Sequence, residues 1–131
     1  MYKNRKVKNA TITYYNGIKF RSKLEAECAK ILDEEGIKYE YEPFKIELLP
    51  TFQYDGKTYR SWNYSPDFVL GNNIMLEVKG FKTDVYGVKK KMILKYIVDN
   101  DYKYEFYEIQ NISQLRKFIE EYKKRELCKE N

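Results

Sequence analysis

The residues best suited to chemistry fall in one short stretch, Ser65 to Lys79, which reads SPDFVLGNNIMLEVK. Phe68-Val69-Leu70 and Ile74-Met75-Leu76 flank Gly71-Asn72-Asn73, a composition that favours a tight turn between two strands. If all three turn residues form the loop, Leu70 pairs with Ile74 and Asp67 stands directly across from Glu77. A two-residue Asn72-Asn73 loop would set Phe68 there instead. Strand alternation puts Lys79 on the side of Glu77 and leaves Phe68, Leu70, Ile74, Leu76 and Val78 on the other. Carboxylates facing each other across a ladder repel, rooted only about 5 Å apart, and a cation between them removes the conflict. Hard, oxygen-seeking Mg²⁺ or Mn²⁺ suits one or two carboxylates with phosphate and water. Lys79 beside the pair could orient or deprotonate a water, or neutralise a phosphate, which would make a phosphodiester-cleaving centre. The plain alternative is a surface hairpin with scattered charges.

Composition narrows the chemistry. The chain has 131 residues, enough for one domain with a single core, and carries 14 tyrosines and a formal net charge of +5. Basic, tyrosine-rich chains suit nucleic acid, because Lys and Arg neutralise phosphates and aromatic rings stack on bases. Half-buried strand packing accounts for tyrosine equally well. The absence of histidine removes Ser-His-Asp and Cys-His machinery, histidine zinc sites and histidine-dependent nucleases. Cys28 and Cys128 lie far apart without metal-ligand spacing, so both read as free thiols of a reducing compartment. With no signal peptide and no apolar run able to span a membrane, the expected location is the cytoplasm.

Several elements must hold this stretch in place. After a basic start (Lys3, Arg5, Lys6, Lys8), Thr11 to Tyr15, Asn16-Gly17 and Ile18 to Phe20 predict a hairpin with a type I′ turn. Ser22-Lys23-Leu24-Glu25 opens a helix with Leu24, Cys28, Ile31 and Leu32 inward and Gly36 at its end. Ser-x-x-Glu is a capping box, yet Glu25 also lies along the edge of the apolar stripe and could supply a third acid. Strands follow through Tyr39 and Tyr41, then Phe44, Ile46 and Leu48, with a hairpin tip at Tyr54-Asp55-Gly56-Lys57 and Trp62 as a packing anchor. Beyond Lys79 a second helix, roughly Val85 to Ile97, is expected to bury Val85, Val88, Met92 and Tyr96. Its Lys89, Lys90, Lys91 and Lys95 form either a solvated face or a phosphate-directed one. A strand from Tyr102 to Ile109 and a final helix capped by Ser113, with Leu115, Phe118, Ile119 and Tyr122 inward, complete the order, and the tail from Lys123 is expected to fray.

Pro66-Asp67, then Glu77-Val78-Lys79, behind a helix bearing Glu25, is similar to the PD-(D/E)XK nuclease superfamily. The longer string, Phe20-Arg21-Ser22-Lys23-Leu24-Glu25 through Tyr64-Ser65-Pro66-Asp67-Phe68 to Glu77-Val78-Lys79-Gly80-Phe81-Lys82-Thr83, resembles a phage-borne group described as Holliday-junction-resolvase-like endonucleases. The resemblance covers about residues 12 to 110. It implies an α/β (α+β) fold with a restriction-endonuclease-like core: a central mixed sheet flanked by helices, order αβββαβ, with an N-terminal hairpin and a C-terminal helix in one domain. It further implies that Asp67, Glu77 and the Val78 carbonyl ligate Mg²⁺ or Mn²⁺ and that Lys79 is the catalytic lysine. Glu25 would be the helix-borne acid, ligating directly or through water, or only capping its helix. Lys82, Lys89 and Lys91 would contact DNA phosphate. Lys90 intervenes between the last two, and Tyr54 to Lys57 reads as an insertion.

The function so implied is metal-dependent hydrolysis of DNA, selective for four-way or branched structures, leaving 5′-phosphate and 3′-hydroxyl ends. Symmetric resolution of a junction needs two active sites, hence a homodimer. The rivals are a nicking, end-cleaving, repair or restriction-type task on the same site, and a non-catalytic DNA-binding relative. The chain is small for a separate sequence-reading domain, and intact Asp67, Glu77 and Lys79 weigh against loss of chemistry.

Overall fold

The computed structural model describes residues 11–130, and the basic start lies outside them. The chain forms two compact units interleaved along the sequence: residues up to Ile37 with Val78–Phe81 and Glu108 onward, and Lys38–Glu77 with Lys82–Tyr107. Secondary structure is mixed α+β, as expected.

In the first unit, strands β1 (Thr13–Tyr15) and β2 (Ile18–Phe20) pair antiparallel across Asn16-Gly17. Both turn residues adopt positive φ, 51° and 78°, the geometry that Asn-Gly tolerates. Helix α1 (Lys23–Glu34) starts at Ser22, whose Oγ accepts from the Glu25 N–H at 3.1 Å. It buries Cys28, Ile31 and Leu32 as predicted, together with Ala26 and Ala29, and packs against β1, β2 and helix α3 (Ile112–Glu130). Two expectations for α3 need correcting. Its cap is Asn111, whose Oδ1 accepts from the Gln114 N–H at 2.9 Å, because an amide side chain one residue before the helix reaches that orphan donor and Ser113 lies already inside. Nor does the chain fray at Lys123: the helix continues to Glu130, and Lys123 pairs with Glu35 at the end of α1.

That ion pair gives a measurable result. The Lys123 ammonium, first by hydrogen bonding and then by its charge, holds the Glu35 carboxyl below the ordinary glutamate value of 4.5. A depressed carboxylate stabilises the fold above its unfolded pKa, and that contribution disappears as pH falls through the folded one. An NMR titration should therefore place Glu35 below the ordinary glutamate value of 4.5, and Lys123→Ala should raise it.

The second unit holds the predicted acidic hairpin. Strands β3 (Tyr39–Tyr41), β8 (Phe68–Leu70), β9 (Ile74–Val78) and β10 (Glu105–Ile109) form one sheet in the order β10-β9-β8-β3. β3–β8 and β8–β9 are antiparallel. Glu105 N–H donates to Asn73 O at 2.9 Å and Lys79 N–H to Ile109 O at 2.8 Å, so β9 and β10 advance together and the sheet is mixed. The αβββαβ outline therefore holds, but the stretch between β3 and β8 is richer than expected. β4 (Ile46–Leu49) pairs with β7 (Trp62–Tyr64), and between them β5 (Phe52–Tyr54) and β6 (Lys57–Tyr59) form a hairpin of their own.

Helix α2 (Asp84–Asp99), capped by Thr83, corrects the predicted face. Val85 and Val88 are exposed, whereas Tyr86 and Ile93 are buried. Positions 86, 93 and 97 recur at helical spacing, and the larger side chains on that stripe bury more apolar surface than two valines would. Ile93 joins Ile46, Tyr64 and Met75 in a core extended by Val69, Tyr96, Ile97 and Phe106. The strand from Tyr102 begins only at Glu105, because Tyr102 and Tyr104 stack on each other at 4.7 Å before the ladder starts.

Candidate functional site

The turn settles the register left open by the sequence. Asn72 and Asn73 both take positive φ, 69° and 60°, and Leu70 pairs with Ile74, Val69 with Met75 and Phe68 with Leu76. Carried one residue further, the same register sets Asp67 across from Glu77. All three turn residues lie in the loop, since two consecutive left-handed residues suit asparagine.

Every residue of β9 is buried, on both faces. The face opposite the acids carries Phe68, Leu70, Ile74, Leu76 and Val78, as expected. The acid-bearing face is also covered, since Val69 and Met75 lie in the core with α2. Glu77 therefore sits at the end of an apolar row, only 8% exposed. A carboxylate so placed needs hydrogen bonds. One comes from Tyr64, whose hydroxyl donates to Glu77 Oε1 at 2.9 Å. Burial, then the charges of Glu77 and Asp67, push the Tyr64 hydroxyl far above the ordinary tyrosine range, so it remains a donor.

A third acid stands beside Asp67. Glu42 follows β3, and its backbone N–H donates to the Asp67 carbonyl at 3.0 Å. Carboxylate oxygens of Glu42 and Asp67 lie within 4.8 Å of each other. Glu42 has a φ of 48°, unusual for a non-glycine residue. Sequence reading missed it. The signal available was Pro43, which breaks the strand and makes a bend after Tyr41 expected.

Lys89 of α2 holds its ammonium 5.8 Å over the Trp62 ring and 5.7 Å over the Tyr64 ring. It is thus brought to the same strand that carries the Glu77 partner. Lys91 and Lys82 are exposed. In the first unit, Glu25 is 6% exposed in the opening turn of α1, and Ser22 Oγ donates to its Oε2 at 3.2 Å. Lys79 directly follows β9, its backbone tied to Ile109.

The donors assembled around Asp67 are all carboxylate oxygens, with no sulfur or imidazole among them. Asp67 and Glu42 are close enough for a small adjustment to bring both onto one hard cation, which fits Mg²⁺ or Mn²⁺.

A family model described as Phage endonuclease I matches residues 7–117. Endonuclease I of Escherichia phage T7 is 40% identical over 62 residues, 47% of this chain and 36% of that protein. Endodeoxyribonuclease 1 of Enterobacteria phage T3 is 38% identical over 65 residues, 49% of this chain and 38% of that protein. The chain thus spans little more than a third of the length of either relative. No solved structure matches. Among the described residues no helix is long and apolar enough to cross a membrane.

Proposed function

We propose that this chain, which belongs to the phage endonuclease I family, is a divalent-metal-dependent DNA endonuclease of PD-(D/E)XK type acting on four-way or branched DNA. The observation that carries the reading is the β8–β9 register, which, carried one residue past Phe68 and Leu76, sets Asp67 across from Glu77, an arrangement a fold keeps most readily when charge is supplied between them.

Asp67 and Glu77 would hold Mg²⁺ or Mn²⁺, with the Val78 carbonyl a further ligand, and Glu42 joins this set by its distance from Asp67. Bound there, the metal would neutralise charge on the scissile phosphate and lower the pKa of a water. Tyr64 holds the Glu77 carboxylate in place through its hydroxyl. Lys79, two residues beyond Glu77 and on the same side by strand alternation, orients the attacking water or stabilises the phosphate during in-line displacement. Glu25 takes the helix-borne acid position. Lys82, Lys89 and Lys91 meet neighbouring phosphates, which positions DNA without reading its sequence. The products carry 5′-phosphate and 3′-hydroxyl ends. Cutting a four-way junction on two strands requires two such centres, so the working form is a homodimer.

The test is incubation of the purified protein with a labelled four-way junction and a linear duplex of the same sequence, with Mg²⁺, with Mn²⁺ and with EDTA. Paired, metal-dependent incisions confined to the junction are expected. Equal cutting of both substrates would keep the nuclease and discard the branched substrate, and binding without cutting in either metal would reduce the protein to a DNA-binding module.

A further inference from the structure

The β5–β6 hairpin plays no part in the chemistry described above, and its composition calls for a partner. All six of its strand residues are exposed. The register pairs Phe52 with Tyr59 and Tyr54 with Lys57, so these four side chains share one face. Phe52 and Tyr59 stack with ring centroids 5.1 Å apart and planes 11° apart, and Lys57 places its ammonium 5.5 Å over the Tyr59 ring. The three rings remain 44%, 71% and 40% exposed at Phe52, Tyr54 and Tyr59. An aromatic slab with a cation at its edge differs from an ordinary polar hairpin, whose exposed face would carry no such apolar area.

Charge selects among occupants. From Phe52 to Arg60 the hairpin carries Lys57 and Arg60 against the single acid Asp55, on a chain of net charge +5. Flat rings bordered by cations are the surface that unpaired nucleotides fit, since every base offers a π-face and every link a phosphate. The aromatic and basic character continues toward the acids. Thr51 Oγ1 accepts from the Ser61 N–H at 3.0 Å at the base of the hairpin. The next strand residue is Trp62, under Lys89, and two residues later comes Tyr64, bonded to Glu77.

We infer that the β5–β6 hairpin is a stacking platform for unpaired bases of the DNA substrate, at a branch or a frayed end. The inference rests on the proposed nuclease function and gives it a physical basis for preferring DNA that is not fully paired.

The full-length protein would be titrated, in EDTA so that no strand is cut, against a fully paired duplex and against the same duplex with an unpaired tail containing 2-aminopurine. Wild-type protein should bind the tailed DNA more tightly and quench the probe as the base stacks. Tyr54→Ala changes a side chain that is 71% exposed and so leaves the fold alone. It should weaken tailed-DNA binding about tenfold, the size of one lost stacked base, leave duplex binding unchanged and reduce the quench. Tyr54→Phe should retain both properties. The triple variant Phe52→Ser, Tyr54→Ser, Tyr59→Ser, verified as folded by circular dichroism, should abolish the preference. Wild-type affinity for both DNAs in the triple variant would overturn the platform, as would equal loss on both. A dimer that dissociates in the triple variant while the DNA preference survives would assign the face to a second copy instead. Wild-type protein that binds neither DNA would overturn this inference, while cleavage of the four-way junction in Mg²⁺ by the same preparation would keep the nuclease reading.

Discussion

Asp67→Ala should lower cleavage by about a thousandfold or more, the several kcal/mol that a metal's charge contributes to the transition state. Binding to DNA should change little, because basic side chains supply that affinity and Asp67 opposes it. The fold should not suffer either. Asp67 has a carboxylate oxygen within 4.8 Å of one from Glu42, and the β8–β9 register carried one residue past Phe68 sets it across from Glu77, so its removal takes one acid from this group. Mg²⁺ should therefore raise the melting temperature of the wild type more than that of the variant, since a bound ion stabilises only the protein that holds it. Cleavage assays and parallel thermal melts check both halves. Full activity in the variant would sink the metal-site reading.

Tyr64→Phe isolates one hydroxyl. The ring stays in the core and under Lys89, while the bond to Glu77 Oε1 is lost. Hydrogen bonds to charged groups contribute about 1.5–3 kcal/mol, so cleavage should fall about ten- to a hundredfold as the Glu77 carboxylate loses its fixed position. The pH dependence of stability gives a second signature. Tyr64 has its folded pKa raised well above the ordinary 10.0 by burial and by the acids around it. Its contribution is complete below the unfolded value and is lost as pH rises past it, because only the unfolded tyrosine releases its proton. Wild-type stability should drop above about pH 10 by up to about 1.4 kcal/mol per pH unit from this group, and Tyr64→Phe should lack that component. Urea melts between neutral and alkaline pH would show it.

Much of this site was legible before the structure because a strand pair is governed by a period of two and a turn of known composition. Gly71-Asn72-Asn73 fixed the pairing of Leu70 with Ile74 and of Phe68 with Leu76 once two asparagines accepted left-handed backbone. Hairpin tips at Asn16-Gly17 and Asp55-Gly56 were readable for the same local reason. Failures occurred where tertiary packing decides. Val85 and Val88 have helical spacing, but the core accepts Tyr86, Ile93 and Ile97, a stripe rotated around the helix that no local rule distinguishes. Glu42 was missed because a long-range backbone bond to Asp67 brings it there, across a stretch of intervening chain that sequence reading does not close. Tyr64 looked like one tyrosine among 14, and only its burial and its bond to Glu77 set it apart.

Trp62 is the single tryptophan of the chain, and its surroundings give it a use beyond packing. It lies two residues before Tyr64 on β7, with the Lys89 ammonium 5.8 Å over its ring. Indole emission responds to nearby charge and to water. Any event that draws Lys89 away toward a phosphate, or shifts β7 as Glu77 is engaged, alters the field on the one chromophore that dominates the fluorescence. The protein therefore carries an intrinsic optical reporter next to its acids, suited to following occupancy in real time without a label.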